Sequence, residues 1–230
     1  MSRFVALAPP PIYVDKPQMI ENVARTCLAS SLLGVDTETL GLMKDDDGNK
    51  YGMMTDQVVC LGLSPDEDHR YFVPRKFLHH FKEVLESDVP KALSNVKFDT
   101  HRIMNTSGIM LGGPWVDTPC LDFLYAEDTR ENRHGLKDVA WDYFGIPMEE
   151  YKKLFGKEDS RTFVPGHPKF EIFLDYATLD PWATRMVAIY LMEQLSQIPV
   201  WPDDANSTLT LKDMYWESEE PQLNALWQME

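Results

Sequence analysis

The stretch Leu32-Leu33-Gly34-Val35-Asp36-Thr37-Glu38-Thr39 runs an apolar segment directly into two acids. Leu32 to Val35 have the uninterrupted apolar character of a buried strand. Side chains alternate along a strand, so Asp36 and Glu38 share one face at its C-terminal end. An Asp-x-Glu pair alone is a weak signal, arising about once or twice by chance in a chain with 37 acidic residues. Its position at the end of a buried strand is what matters. Two carboxylates there are costly unless a proton or a cation neutralises them.

Two further acids lie in distinctive frames. Asn95-Val-Lys-Phe-Asp99 reads as a turn from strand into helix. Taken alone, Asp99 is equally a first-turn acid favoured by the helix dipole. In Tyr176-Ala-Thr-Leu-Asp180 the tyrosine and the aspartate are four apart and share a helix face. That pair alone could equally be a surface hydrogen bond. Gathered in one place, four carboxylates would repel by up to about 4 kcal/mol per pair at about 4 Å and an effective dielectric of about 20. The cations suited to an all-oxygen cluster are Mg²⁺ and Mn²⁺.

Working outward, Ile12-Tyr-Val is a short strand candidate. Asp15 is a candidate cap for a helix over 17–30, with Ile20, Val23, Ala24 and Cys27 on one face. Val58 to Leu63 and Arg70 to Pro74 read as strands joined at Ser64-Pro-Asp-Glu-Asp68, an antiparallel meander begun by the strand of Asp36. Asp45 to Lys50 reads as a polar loop. Alternating helix and strand follow: helix over 75–86, strand at Ala92, strand at Trp115-Val-Asp, and helices over 119–127, from His134 to 144, and over 172–196. Pro181 inside the last predicts a kink, or a register that tolerates its missing donor. The pattern is that of a mixed α/β sheet flanked by helices. We expect the main unit over 1–198, with 199–230 forming a linker and the start of a further helix.

The 230 residues permit one large domain. No apolar run approaches the roughly 20 residues needed to cross a bilayer, and Pro9 to Pro11 interrupt any leader-like segment, so no membrane association and a cytoplasmic protein are expected. Cys27, Cys60 and Cys120 are widely spaced and form no metal-binding pair; they read as core residues in a reducing compartment. The net charge of −15 counts against a general nucleic-acid binder. Residues 201–230 concentrate that charge, with seven acids against Lys212.

Taken in order, Val35-Asp-Thr-Glu-Thr39, Asn95-Val-Lys-Phe-Asp99 and Tyr176-Ala-Thr-Leu-Asp180 resemble the three motifs of the DEDD superfamily of 3′–5′ exonucleases, tyrosine subgroup. Within it the chain is most similar to the proofreading domain of family A DNA polymerases, over roughly residues 12–198. Trp115-Val-Asp-Thr and His134-Gly-Leu-Lys-Asp are secondary matches. Pro181, directly after the last acid, departs from the pattern. Glu220-Pro-Gln-Leu and Trp227-Gln-Met-Glu resemble the first helix of the polymerase domain, more weakly.

The resemblance implies an RNase H-like (DnaQ-like) fold and a site with two divalent cations, Mg²⁺ or Mn²⁺. It implies Asp36, Glu38 and Asp180 around one ion and Asp36 with Asp99 at the second, with Tyr176 orienting the attacking water. Candidate substrate contacts are Thr37, Leu42 as a wedge between terminal bases, Asn95, Phe98, and a basic group of Arg130, Arg133, His134 and Lys137. Leu42 is also readable as an ordinary loop residue, Phe98 as core, and the basic group as a solvated helix start. The implied substrate is a single-stranded DNA 3′ end, released as 5′-mononucleotides while serving a DNA polymerase domain or subunit. Rival expectations are an RNA-trimming exoribonuclease and a catalytically silent structural domain.

Overall fold

The computed structural model describes residues 8–40, 43–44, 50–51, 57–126, 133–203 and 208–229. Leu42 and Arg130 lie outside them. Strand β2 (Leu33–Thr39) is central in a six-stranded sheet. It pairs antiparallel with β5 (Val58–Ser64), which pairs antiparallel with β6 (Arg70–Pro74). On its other side β2 pairs parallel with β7 (Lys91–Leu93), and β7 pairs parallel with β8 (Trp115–Asp117). Strand β1 (Pro11–Tyr13) closes the far edge, parallel to β6. The meander and the parallel extension are those of the expected mixed sheet. Two short paired strands, β3 (Met43–Lys44) and β4 (Lys50–Tyr51), flank the expected polar loop, of which residues 45–49 lie outside the described ones.

Helices cover both faces. On one, α1 (Pro17–Leu28), the 3₁₀ segment Arg75–Phe81 running into α2 (Lys82–Glu86), and α3 (Val96–Ser107) contribute Val23, Phe81, Leu85 and Ile103 to a core with Leu33 and Val35. On the other lie α4 (Thr118–Ala126), α5 (Leu136–Phe144), α6 (Tyr151–Phe155) and the long α7 (Phe170–Leu195). Helix α1 starts at Pro17, whose fixed φ suits a first helical position. The residue before it is Lys16, with no side-chain cap, so Asp15 is not the cap expected from sequence.

The placement of α7 decides the site. Gly34 lies on the face of β2 that carries Asp36 and Glu38, and Gly62 is paired with Asp36 across β5. A Cβ on Gly34 would sit 2.1 Å from the Pro181 carbonyl oxygen, and one on Gly62 would sit 2.4 Å from that of Ala177. Only glycines let the α7 backbone approach the sheet this closely. Pro181 does not break the helix, which runs through it from Phe170 to Leu195. Its missing N–H releases the carbonyl four residues back, that of Ala177. That carbonyl is the one lying over Gly62.

Beyond α7, α8 (Leu211–Met214), a π-helical turn (Tyr215–Glu219) and α9 (Glu220–Met229) return to the sheet edge. Tyr215 is fully buried and Trp227 nearly so, the latter packed edge-on against Trp115. The residues expected as linker and helix start thus contribute side chains to the core. Among the described residues, no helix is long and apolar enough to cross a membrane.

Candidate active site

Strand β2 delivers Asp36 and Glu38, the first turn of α3 delivers Asp99, and α7 delivers Tyr176 and Asp180. All five line one cleft of about 540 Å³. Asp36 and Asp180 also border a second cleft of about 330 Å³, walled by Leu136, Lys137 and Glu150.

Local structure fixes each acid. Asn95 adopts a left-handed conformation (φ 74°) that turns β7 into α3. The Asp117 Oδ1 accepts from the backbone N–H of Asn95 (2.8 Å) and of Val96 (3.0 Å), holding that turn. The Asp117 N–H in turn donates to the Tyr215 hydroxyl (2.9 Å), which donates to the Trp115 carbonyl (2.9 Å). One turn into α3, the Asp99 Oδ1 accepts from the Thr37 N–H (3.1 Å) and hydroxyl (2.5 Å). The second motif is thereby tied to the first.

The carboxyl groups are crowded by protein, and Asp99 is only 2 % exposed. Asp36, Glu38 and Asp180 keep some surface open to the clefts. Burial and the Asp99 charge push Asp36 well above the ordinary carboxylate range. Glu38 is raised likewise by burial and by Asp36, Asp180 and Asp99. Burial lifts Asp99 to about 7 against the lowering hydrogen bonds of Thr37, and lifts Asp180 to about 8 together with Asp36. Lys137 opposes the rise at Asp36, Glu38 and Asp180. Burial and the same acids drive the Tyr176 phenol far above its ordinary value, so it is protonated at any working pH.

Among the described residues, no three His, Cys, Asp or Glu side chains stand as a ready-made metal cage. Asp99 instead turns an oxygen to Thr37. The donor set is nevertheless acidic, all-oxygen and mutually repelling, which fits hard divalent cations and no softer metal.

Of the other expected contacts, Thr37 and Phe98 line the main cleft and Lys137 lines the second. Lys137 bonds the Glu149 carbonyl (2.9 Å), pairs with Glu150 (3.2 Å) and stands 5.5 Å from the Tyr176 ring centroid. The Arg102 guanidinium stacks over Phe98 at 4.3 Å. Asn95 and Arg133 are exposed and line neither cleft. His134 also lines neither; its Nδ1 bonds Asp122 (2.7 Å), whose other oxygen accepts from the Tyr143 hydroxyl (2.7 Å). That network anchors the start of α5, and with it Lys137. Sequence reasoning missed Tyr151, Lys157 and Ser160, which form the far wall of the main cleft. Ser160 is tied to the end of β2 through the Thr39 carbonyl (2.9 Å).

A family model described as 3′–5′ exonuclease matches residues 11–196. The chain belongs to the 3′–5′ exonuclease family. Solved structures share the fold of this exonuclease-family chain at low identity. Escherichia coli RNase D, an exoribonuclease involved in structured RNA processing, has a TM-score of 0.65 at 16 % identity, over 95 % of this chain and 50 % of that one. Brucella melitensis NrnC with bound Mg²⁺ has 0.56 at 18 %, over 87 % and 82 %. The POL domain of Pol1 from M. smegmatis, in complex with DNA primer-template and dNTP, has 0.58 at 14 %, over 81 % and 28 %. The chain therefore spans about half the length of that RNase D. No curated protein matches it.

Proposed function

We propose that this chain is a metal-dependent 3′–5′ exonuclease that removes 5′-mononucleotides from single-stranded or frayed DNA 3′ ends and serves a DNA polymerase. The observation that carries the proposal is the joining of Asp36, Glu38, Asp99, Tyr176 and Asp180 in one open cleft. Asp36, Glu38 and Asp180 would hold one Mg²⁺ or Mn²⁺, and Asp36 with Asp99 a second. Ions held there supply Lewis-acid polarisation of the scissile phosphate and lower the pKa of the attacking water. Tyr176, permanently protonated, orients that water by donating a hydrogen bond and does not act as the base. Thr37 holds the Asp99 carboxylate in place. Phe98, backed by Arg102, offers a flat apolar surface to the terminal base, which any base can use.

The catalytically silent alternative is disfavoured by the presence of all four acids and the tyrosine. An RNA-trimming role has specific support, since the fold is shared with RNase D along 95 % of this chain. Support for DNA comes from the polymerase-type motifs and the polymerase-like C-terminal helix. We place the exonuclease motifs within 1–198, with 199–230 packed back onto that unit through Tyr215 and Trp227 and leading toward a polymerase domain or subunit. The free cysteines fit a reducing cytoplasm. Equimolar 5′-labelled DNA and RNA strands of one sequence, incubated together with Mg²⁺, test the substrate. Faster DNA shortening, and faster trimming of a mismatched than of a matched duplex end, support the proposal. Preferential RNA shortening replaces it with the second reading.

A further inference from the structure

Next to the main cleft lies a groove of about 460 Å³ that the exonuclease chemistry does not use. Its apolar lining includes Tyr13, Leu40 and Val59, and its cations are Arg75, Lys76 and Arg161. Leu40 lines both the groove and the acid-bearing cleft. Ser160 lines the cleft while its neighbour Arg161 lines the groove. The two spaces therefore meet at the end of β2.

The cations are placed by the fold. The Leu40 N–H donates to the Gln57 carbonyl (3.2 Å), and the Gln57 side chain accepts from Arg75 Nη1 (2.5 Å). Lys76 Nζ stands 4.7 Å from the Phe77 ring centroid. Arg161 is gripped by Asp159, which offsets part of its charge. Arg75 and Lys76 are both exposed. In a chain with a net charge of −15, a groove whose described lining holds three cations and no acid is a local exception.

We infer that this groove is a binding track for the single-stranded polynucleotide upstream of its 3′ end, with Arg75 and Lys76 contacting phosphates and the apolar lining receiving bases. An apolar bed with cations beside it is how single strands are held without regard to sequence. Continuity with the acid-bearing cleft favours a polynucleotide over any other anion. The inference rests on the exonuclease reading and deepens it: chain length, beyond the terminal residue, becomes a determinant of affinity.

The test compares the wild-type chain with the double variant Arg75→Glu/Lys76→Glu and with a remote control, Arg25→Glu/Lys82→Glu, that makes the same charge change. Hydrolysis of a dinucleotide and of a single-stranded 10-mer is measured with Mg²⁺. Binding of a fluorescent 10-mer is measured separately by anisotropy in chelator. We expect the groove variant to lose tenfold or more in kcat/KM on the 10-mer, to keep its dinucleotide rate within twofold, and to bind the 10-mer more weakly. Its salt slope should fall by about 1.4, for two phosphate contacts on a single strand at about 0.7 each. An equal loss on both substrates, unchanged 10-mer binding, or an equal effect of the remote control overturns the track. Absence of hydrolysis of both the 10-mer and the dinucleotide by the wild type would overturn the exonuclease reading alone, because the anisotropy comparison still decides the groove.

Discussion

Pro181 and Gly34 are in direct opposition: the proline carbonyl oxygen would lie 2.1 Å from any Cβ at the glycine. This contact sets how low α7 rides over β2, and so whether Tyr176 and Asp180 reach the face of Asp36 and Glu38. Gly34→Ala would force the helix outward. Overpacking of this kind costs about 1–3 kcal/mol or more. We expect a lowered Tm and, in whatever protein still folds, a rate loss larger than its stability loss explains. Thermal melts alongside initial rates check this; wild-type activity with a lowered Tm would show that the contact serves folding only.

The raised carboxyl groups set the direction of pH dependence. Asp99 at about 7 and Asp180 at about 8 lie above the roughly 4 of an unfolded carboxyl group. Their protonated forms are favoured by the folded state, so that stability is full below about pH 4 and is lost as pH rises through 7 to 8. In chelator, Tm should fall between pH 5 and pH 8.5. Added Mg²⁺ or Mn²⁺ should raise it far more at pH 8.5 than at pH 5, by mass action on the ionised site. A flat profile in chelator would contradict this electrostatic picture.

Thr37 supports Asp99 through two hydrogen bonds. Thr37→Val removes the hydroxyl donor and keeps the shape. Outer-shell partners of this kind are worth about 10–100-fold in metal affinity or activity. We expect a shift in the metal concentration needed for half-maximal rate, partly rescued by Thr37→Ser.

Tyr215 reaches across the sheet edge to brace the strand whose Asp117 holds the start of α3. Tyr215→Phe leaves a buried N–H and a carbonyl unpaired, a cost of about 1–3 kcal/mol. Denaturant melts should show that loss. An unchanged midpoint would mean that the C-terminal segment is not coupled to the second motif.

Much of this organisation was legible in the chain. Leu32 to Val35 announced the central strand, and the spacing of Tyr176 and Asp180 announced a shared helix face. What escaped were relations between residues far apart in sequence. Nothing local to Gly62 reveals that it must admit Ala177, and Tyr215 lies 98 residues from the N–H it accepts. Tyr151 to Phe155 is too short for periodicity to mark a helix, so the wall formed by Tyr151 and Lys157 went unread. The anchoring role of His134 was not legible because Asp122, its partner, is twelve residues away.

The central claim is that Asp36 and its neighbours form a divalent-cation site for hydrolysis from the 3′ end. It is tested most directly by incubating the chain with 5′-labelled single-stranded DNA and Mg²⁺ or Mn²⁺ and resolving the products. We expect a ladder shortened from the 3′ end, abolished by chelator and lost in Asp36→Ala. Shortening that persists in excess chelator or in Asp36→Ala would contradict the account.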